Sequence, residues 1–173
     1  MGLHARVEPK TNMSRTLIAL TCLAACLSAV AAENNLSLAG PWRFQLDRAD
    51  AGGAEHWFER KLPDKIRLPG SLSEQGIGDD VTVDTKWTGG IVDKSFFTAP
   101  EYAKYRQPGN VKVPFWLQPE KYYAGAAWFQ REIEIPKDWQ GKRVVLFLER
   151  THWETRVWVD TQLVGTNNSL STP

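Results

Sequence analysis

The sequence predicts an all-β protein built from antiparallel strands, and three stretches near its C-terminal end support this. Residues 129–135 alternate between apolar and polar side chains, which is the pattern of a half-buried strand, and Pro136 ends the pattern. Residues 144–148 are apolar on both faces, as expected for a strand at the centre of two packed layers. Residues 156–165 alternate again around a turn at 160–162. Because none of these stretches has a 3.6-residue period, we expect strands rather than helices.

The segments that precede this region carry the same kind of signal. A turn at Gly40–Pro41 leads into a strand that places Trp42, Phe44 and Leu46 on one side. Residues 55–60, which follow Gly52–Gly53, are expected to form one helical turn.

Residues 74–125 form the least regular part of the sequence, rich in glycine, proline and aromatic residues. Fifty residues without secondary structure would be unusual inside a compact domain. We therefore expect one or two short strands, at 81–83 and 111–113, and a long, partly packed functional loop.

Composition excludes several classes of partner. The 173 residues carry a net charge of +1, and without residues 1–32 the chain has 18 basic and 19 acidic side chains. A nearly neutral domain gives no electrostatic reason to bind nucleic acid or an anionic membrane surface. The three histidines are far apart and have no ligand spacing, so we expect neither a metal site nor a cofactor.

Residues 13–32 have the pattern of a secretion signal, which follows a short N-terminal extension. Arg15 supplies the positive start, residues 17–30 the apolar core, and residues 29–31 a small-residue cleavage site. A second interpretation stays open, because residues 23–26 resemble a bacterial lipobox in which Cys26 would be lipidated. Both interpretations predict export, to the periplasm or the extracellular space, or to the outer membrane as a lipoprotein. Cys22 and Cys26 both lie in this segment, so residues 33–173 contain no cysteine and no disulfide.

Several motifs, in a consistent order, resemble the N-terminal sugar-binding domain of glycoside hydrolase family 2, the family of β-galactosidases and β-glucuronidases. The matching residues are Gly40, Trp42, Phe44 and Asp47, the segment 66–71, Trp128–Phe129 with Arg131, Ile135–Pro136, residues 141–149, and VWVDTQLVG at 157–165. For the segment 66–71 the resemblance implies a strand that ends in a turn. One departure concerns the turn, where Asp160–Thr161 replaces the Asn–Gly pair of the family. Thr resists the positive φ that a type I′ turn requires, so we expect a longer turn built on type I geometry.

The resemblance implies a fold and a place within a larger enzyme. It implies a jelly-roll β-sandwich like a galactose-binding domain, over residues 33–173, with further strands of the family domain expected beyond Pro173. The family's two catalytic glutamates lie in a (β/α)8 barrel, which needs about 250 residues of its own. The family acid/base is an Asn–Glu pair, and no Asn–Glu dipeptide occurs here. The chain is therefore expected to be a non-catalytic part of a retaining glycosidase, of β-galactosidase type first and β-glucuronidase type second, which partners the barrel.

The aromatic loop, as we call the irregular region 74–125, is the candidate functional site. Flat aromatic rings suit sugars because the C–H faces of a pyranose stack on them, while carboxylate and amide groups bond the hydroxyls. Trp87 with Asp84 nearby, and Trp116, are the substrate-binding candidates for a β-linked oligo- or polysaccharide. The alternative for each ring is packing of the loop on the sandwich, since each buries 150–250 Å².

Two other functions remain open from the sequence. The first is a stand-alone carbohydrate-binding module without hydrolytic activity. The second is a structural module with no ligand contact.

Overall fold

In the computed structural model, the described residues are 34–169, together with the backbone of residues 3–8. The predicted signal segment 13–32 and its two cysteines lie outside the described residues. The strands are β1 (Leu3–Glu8), β2 (Asn35–Ser37), β3 (Gly40–Asp47), β4 (Asp64–Leu68), β5 (Asp79–Asp80), β6 (Lys121–Tyr122), β7 (Ala126–Gln130), β8 (Arg143–Leu148), β9 (Glu154–Val159) and β10 (Gln162–Asn168). One four-residue helix, α1 (Ser95–Thr98), and 3₁₀ turns at Trp57–Glu59, Ser73–Gln75, Pro100–Tyr105 and Lys137–Trp139 complete the secondary structure.

The chain divides into two units, residues 1–40 with 132–173 and residues 41–131. Strand pairing is antiparallel in both, between β1 and its neighbours β2 and β8, between β9 and β10, between β3 and β7, and between β5 and β6. The predominance of strands, in antiparallel sheets, confirms the all-β prediction and agrees with a jelly-roll domain of the galactose-binding kind.

The first unit contains the sheet β2–β1–β8 and the hairpin β9–β10. β8 forms where the apolar run predicted it, and it pairs with β1 from Leu3↔Leu148 to Glu8↔Arg143. The expectation that β8 is buried on both faces is wrong, because Val144 and Leu146 are 43% and 42% exposed. Val144 and Leu146 are two residues apart and lie on the same face of β8, so this face of the strand is the one left partly open to solvent.

The β9–β10 hairpin corrects the predicted turn. Gln162 pairs with Val159, so the loop contains only Asp160 and Thr161 and is not the longer turn that the sequence predicted. Asp160 takes the left-handed conformation at φ 53°, which Asp tolerates better than most residues, and Thr161 keeps a negative φ. The register then shifts between Leu163 and Gly165, so Val164 is an extra residue in the strand, which is a β-bulge.

The predicted strand through residues 129–135 is shorter than expected. β7 ends at Gln130, and residues 131–136 form no strand. The last pair of the ladder is Arg43↔Gln130, and two residues further along the partner strand is Pro41. Proline has no N–H to donate, so the β3–β7 ladder cannot continue past it. Ile133 and Ile135 are consequently exposed.

The second unit is built on the sheet β4–β3–β7. The alternation predicted for the β3 segment places Phe44 inside, where its ring lies 5.3 Å from that of Phe129. Ile66 and Leu68 on β4 are also buried, and the strand ends before Pro69 as predicted. The predicted helical turn near residues 55–60 is present as the 3₁₀ turn Trp57–Glu59, with Trp57 buried.

Asp47 closes the turn that follows β3. Its side chain is 2% exposed and accepts hydrogen bonds from the N–H groups of Ala51 (2.9 Å) and Gly52 (2.7 Å) and from Nε1 of Trp128 (3.0 Å). Burial alone would raise the pKa of Asp47, but these donors outweigh it and lower the pKa below its usual value. Asp47 is the acidic residue of the motif formed by Gly40, Trp42, Phe44 and Asp47. Its hydrogen bonds give that motif a structural role.

The two strands predicted within residues 74–125 are wrong. Residues 81–83 and 111–113 form no strand, and the short pairing in this region joins Asp79 to Tyr122 and Asp80 to Lys121. Residues 81–83 lead into a turn in which Thr85 N–H donates to the carbonyl of Thr82. Val113 is nevertheless buried, although it belongs to no strand.

Candidate functional site

The aromatic loop begins and ends at the β5–β6 pairing. This pairing is held in place by Arg48, which lies outside the loop. Arg48, just after β3, donates two hydrogen bonds to Asp79, of 2.9 and 2.7 Å, and this lowers the pKa of Asp79. Asp80 forms an ion pair with Lys121 across the two strands. The loop is therefore fixed at both ends to the main sheet.

Tyr123 adds a second attachment at the end of the loop. Its hydroxyl donates to the carbonyl of Ala126 (2.7 Å), and the guanidinium of Arg48 lies over its ring at 5.3 Å. Burial raises the pKa of the Tyr123 phenol. Because Arg48 contacts both Asp79 and Tyr123, one side chain joins the two ends of the loop to β3.

Trp87 lies in a compact aromatic cluster. Its ring is 4.7 Å from that of Tyr122 and 5.4 Å, edge-on, from that of Phe115. The Tyr122 hydroxyl accepts the N–H of Thr88 (2.8 Å) and is 2.6 Å from the Thr88 hydroxyl oxygen. These two ring contacts restrict the orientation of the half-buried Trp87 ring, as a stacking platform requires.

Trp116 belongs to a different cluster. It meets Tyr105 edge-on at 4.7 Å and Tyr102 at 6.1 Å, and Tyr102 in turn packs on Phe96 at 5.1 Å. The Trp116 side chain stays 52% exposed.

A cleft of about 620 Å³ opens beside Trp87. The residues that line it are Val83, Asp84, Thr85, Trp87, Ile91, Lys94, Phe97 and Arg106. Two of the three residues predicted from the sequence, Asp84 and Trp87, therefore face the same space, and Trp116 does not line it. Asp84 is exposed, in a turn where its N–H donates to the Thr82 hydroxyl (3.2 Å).

The sequence did not indicate two basic residues of this cleft, Lys94 and Arg106. They lie 12 residues apart, on either side of α1 and the 3₁₀ turn that follows it. No spacing rule links such a pair, because a cleft formed by an irregular loop has no period. Their charge was the only signal, and the chain has many other exposed lysines and arginines.

Over 34–169, no three histidine, cysteine or acidic side chains come together in a way that could hold a metal ion. Among the same residues, no helix has the length and apolarity to cross a membrane.

Comparison with protein families gives one match that covers most of the chain. The family model described as "Glycosyl hydrolases family 2, sugar binding domain" matches residues 36–173. The match includes both the cleft and the Asp47 turn, and it agrees with the resemblance that the motifs carry.

Proposed function

We propose that this chain, which belongs to glycosyl hydrolase family 2 by its sugar-binding domain, is the N-terminal, non-catalytic domain of an exported glycosidase. The enzyme would act on β-linked glycosides. In this proposal the domain braces a catalytic barrel and borders the substrate pocket, with β-galactosides as the first substrate class to test. Export rests on the signal pattern at residues 13–32.

The observation that carries the proposal is the cleft that Trp87 and Asp84 both line. An aromatic ring fixed by its neighbours offers a flat apolar surface for the C–H face of a pyranose, and a carboxylate nearby can accept bonds from sugar hydroxyls. Sugar sites are concave and combine apolar walls with a few polar groups, as this cleft does.

Sugar binding is tested by titrating the 173-residue chain with methyl β-glycosides and following the tryptophan indole signals by NMR. We expect weak binding, of millimolar order or about −4 kcal/mol, because an open cleft encloses only part of a sugar. Trp87→Ala should weaken it about five- to tenfold, the loss expected for one stacking partner. Trp153→Ala is the matched control, since Trp153 is an exposed tryptophan of the other unit.

Three outcomes separate the possible functions. If Trp116→Ala abolishes binding and Trp87→Ala does not, the sugar binds at the second aromatic cluster and the cleft proposal fails. Micromolar affinity for a defined oligosaccharide would favour a stand-alone carbohydrate-binding module. If neither tryptophan matters and no sugar binds, the domain is structural only.

The non-catalytic role has its own test. A retaining glycosidase needs two carboxyl groups about 5 Å apart, and the sequence contains no Asn–Glu pair of the family type. The purified chain should therefore leave nitrophenyl β-glycosides at the buffer rate. Hydrolysis that co-elutes with the chain on size-exclusion chromatography would contradict this role.

A further inference from the structure

We propose that the cleft beside Trp87 takes a sugar that carries an acidic group, a carboxylate or a sulfate ester, with Lys94 and Arg106 as the residues that recognise it. This inference rests on the proposed sugar-binding function and specifies which class of sugar the same site accepts. Both basic side chains line the cleft together with Trp87.

Arg106 is held in position by the backbone around α1. Its Nη1 donates to the carbonyls of Phe96 (3.1 Å) and Ala99 (2.9 Å), and the side chain is partly buried. An arginine has five N–H donors in a rigid planar fork. Among residues 34–169 no carboxylate pairs with this guanidinium, so its remaining donors are available to a ligand in the cleft.

Lys94 lines the cleft from the start of α1. It is exposed, and within the described part of the chain its ammonium group forms no ion pair or hydrogen bond. The neighbouring Asp93 forms no ion pair with Lys94; its carboxylate accepts the N–H of Ser95 (2.8 Å), and Asp93 does not line the cleft. Lys94 is therefore an exposed cation that lines the same space as Arg106.

The charges of the lining residues favour one negative group rather than several. Lys94 and Arg106 contribute two positive charges and Asp84 one negative charge, so the cleft carries an excess of one positive charge. A polyanion would meet repulsion from Asp84, whereas a single acidic group can lie near the basic pair while hydroxyls reach Asp84. Arginine in particular suits carboxylate and sulfate oxygens, since its fork donates two parallel hydrogen bonds.

The apolar side of the cleft accounts for the rest of such a ligand. Trp87, Phe97 and Ile91 provide a surface for the C–H face of a pyranose ring. A neutral sugar could use this surface and Asp84 alone, leaving the two cations without a role. An acidic sugar uses both parts of the cleft, and this difference makes the proposal testable.

The experiment titrates the full 173-residue chain with three probes: methyl β-galactoside, methyl β-glucuronide and galactose 6-sulfate. We expect at least one acidic probe to bind about five- to twentyfold more tightly than the neutral one at low salt, and salt to reduce the difference. Lys94→Gln should weaken the acidic probe about two- to fivefold and leave the neutral probe unchanged. Lys94 is the residue to vary first, since Arg106→Gln would also remove the bonds to Phe96 and Ala99 and could disturb α1.

Lys86→Gln is the matched control. Lys86 is exposed and adjoins Trp87 in sequence, but it does not line the cleft. If it weakens acidic probes as much as Lys94→Gln does, the effect is one of general charge and the inference is wrong. The two acidic probes distinguish a site for uronic acids from a site for sulfated galactosides, and preference for either supports the inference.

The failure of this inference differs from the failure of the proposed function. Equal affinity for neutral and acidic probes, unchanged by Lys94→Gln, overturns the acidic-sugar inference while sugar binding at the cleft stands. Binding of inorganic sulfate as tight as that of galactose 6-sulfate, unaffected by Trp87→Ala, also overturns it, because the cleft would then be an anion site without a sugar. Absence of binding by all three probes overturns the proposed function itself.

Discussion

At the scale of single residues, Asp47 joins segments of the second unit that are far apart in sequence. Its carboxylate binds the turn at residues 51–52 and the indole of Trp128, which is 81 positions away. The Trp128 ring also packs against Trp57, at 6.3 Å between centroids. A buried carboxylate with several donors is stabilising only while it is ionised and all its bonds are made.

Replacing Asp47 with Asn tests this role. We expect Asp47→Asn to lower the free energy of unfolding by about 2 kcal/mol, because the amide places an NH₂ group against a donor and loses the charge. Asp50→Asn is the control, since Asp50 is exposed in the same turn and its positive φ of 51° suits Asn. Chemical denaturation at pH 7 gives both values, and equal losses would contradict the role assigned to Asp47.

The difference in the free energy of unfolding between the parent chain and Asp47→Asn should depend on pH with a defined sign. The folded state lowers the pKa of Asp47, so the unfolded state binds its proton first as the pH falls. The stabilisation is complete above the unfolded pKa of about 3.9 and is lost as the pH falls through the folded pKa. The gap between the parent chain and Asp47→Asn should therefore be constant from pH 7 to about pH 5 and shrink below pH 4. A gap that widens in acid would show the opposite linkage.

Gly52 is required by the same turn. A Cβ at this position would lie 2.6 Å from Cε2 of Trp128 and 2.8 Å from Oδ2 of Asp47. Gly52→Ala should cost about 1–3 kcal/mol, the usual penalty for overpacking a tight site. Gly53→Ala is the matched control, because a Cβ there meets nothing within 4 Å, and its effect should be neutral or slightly stabilising. Similar melting temperatures for the two variants would contradict close packing at Gly52.

At the scale of elements, the β5–β6 pairing controls the aromatic loop. Gly78 precedes β5 at φ 133°, and a Cβ there would lie 2.9 Å from the carbonyl oxygen of Tyr122, which is backbone and cannot move aside alone. Gly78→Ala should separate β5 from β6 and release the Tyr122 ring from Trp87. Faster hydrogen exchange at the amides of residues 79–80 and 121–122, with a change in Trp fluorescence, is the expected result.

Gly90→Ala is the control for this change, since a Cβ at residue 90 meets nothing within 4 Å. It alters the same loop without touching the pairing. Unchanged exchange in Gly78→Ala, relative to Gly90→Ala, would mean that the loop does not depend on β5–β6.

Sequence patterns predicted a strand correctly where two conditions hold: the strand has the expected side-chain pattern, and a partner strand pairs with it over its whole length. β3, β8 and the β9–β10 hairpin lie where alternation or an apolar run placed them, and β4 lies where the family resemblance of residues 66–71 implied a strand. The strand expected through Ile135 ends at Gln130, because its partner reaches Pro41. Alternation describes one strand only, whereas the length of a strand depends also on the hydrogen-bonding capacity of its neighbour.

The candidate site was predictable only in part for a related reason. Trp87 and Asp84 are close in sequence, and their chemistry singled them out. Lys94 and Arg106 reach the same cleft because α1 and the turn after it bring them back, which no local pattern encodes. Trp116 had the same signal as Trp87, yet its edge-on contact with Tyr105 directs it into another cluster.

At the scale of the whole molecule, the described residues of the two units differ in how much apolar side chain they bury. Among the described residues, the unit formed by 41–131 buries Phe44, Trp57, Leu62, Ile66, Leu68 and Val113. The other unit buries Leu38 and Trp139, the latter packed against Leu36, and leaves Leu146, Val159 and Leu163 largely exposed. Because burial of apolar surface is the main stabilising contribution, the two units should differ in local stability.

Hydrogen exchange followed by mass spectrometry measures that difference directly. We expect the amides of β3 and β7 to exchange more slowly than those of β8, β9 and β10. Trp139→Ala should accelerate exchange in residues 132–168 strongly, because removing a buried Trp costs about 3–5 kcal/mol. Trp153→Ala makes the same chemical change at a side chain that is 58% exposed, so it should leave exchange nearly unaltered. Equal protection in both units would mean that burial does not set the order of local opening. Equal effects of the two variants would mean that Trp139 is not a main packing contact of its unit.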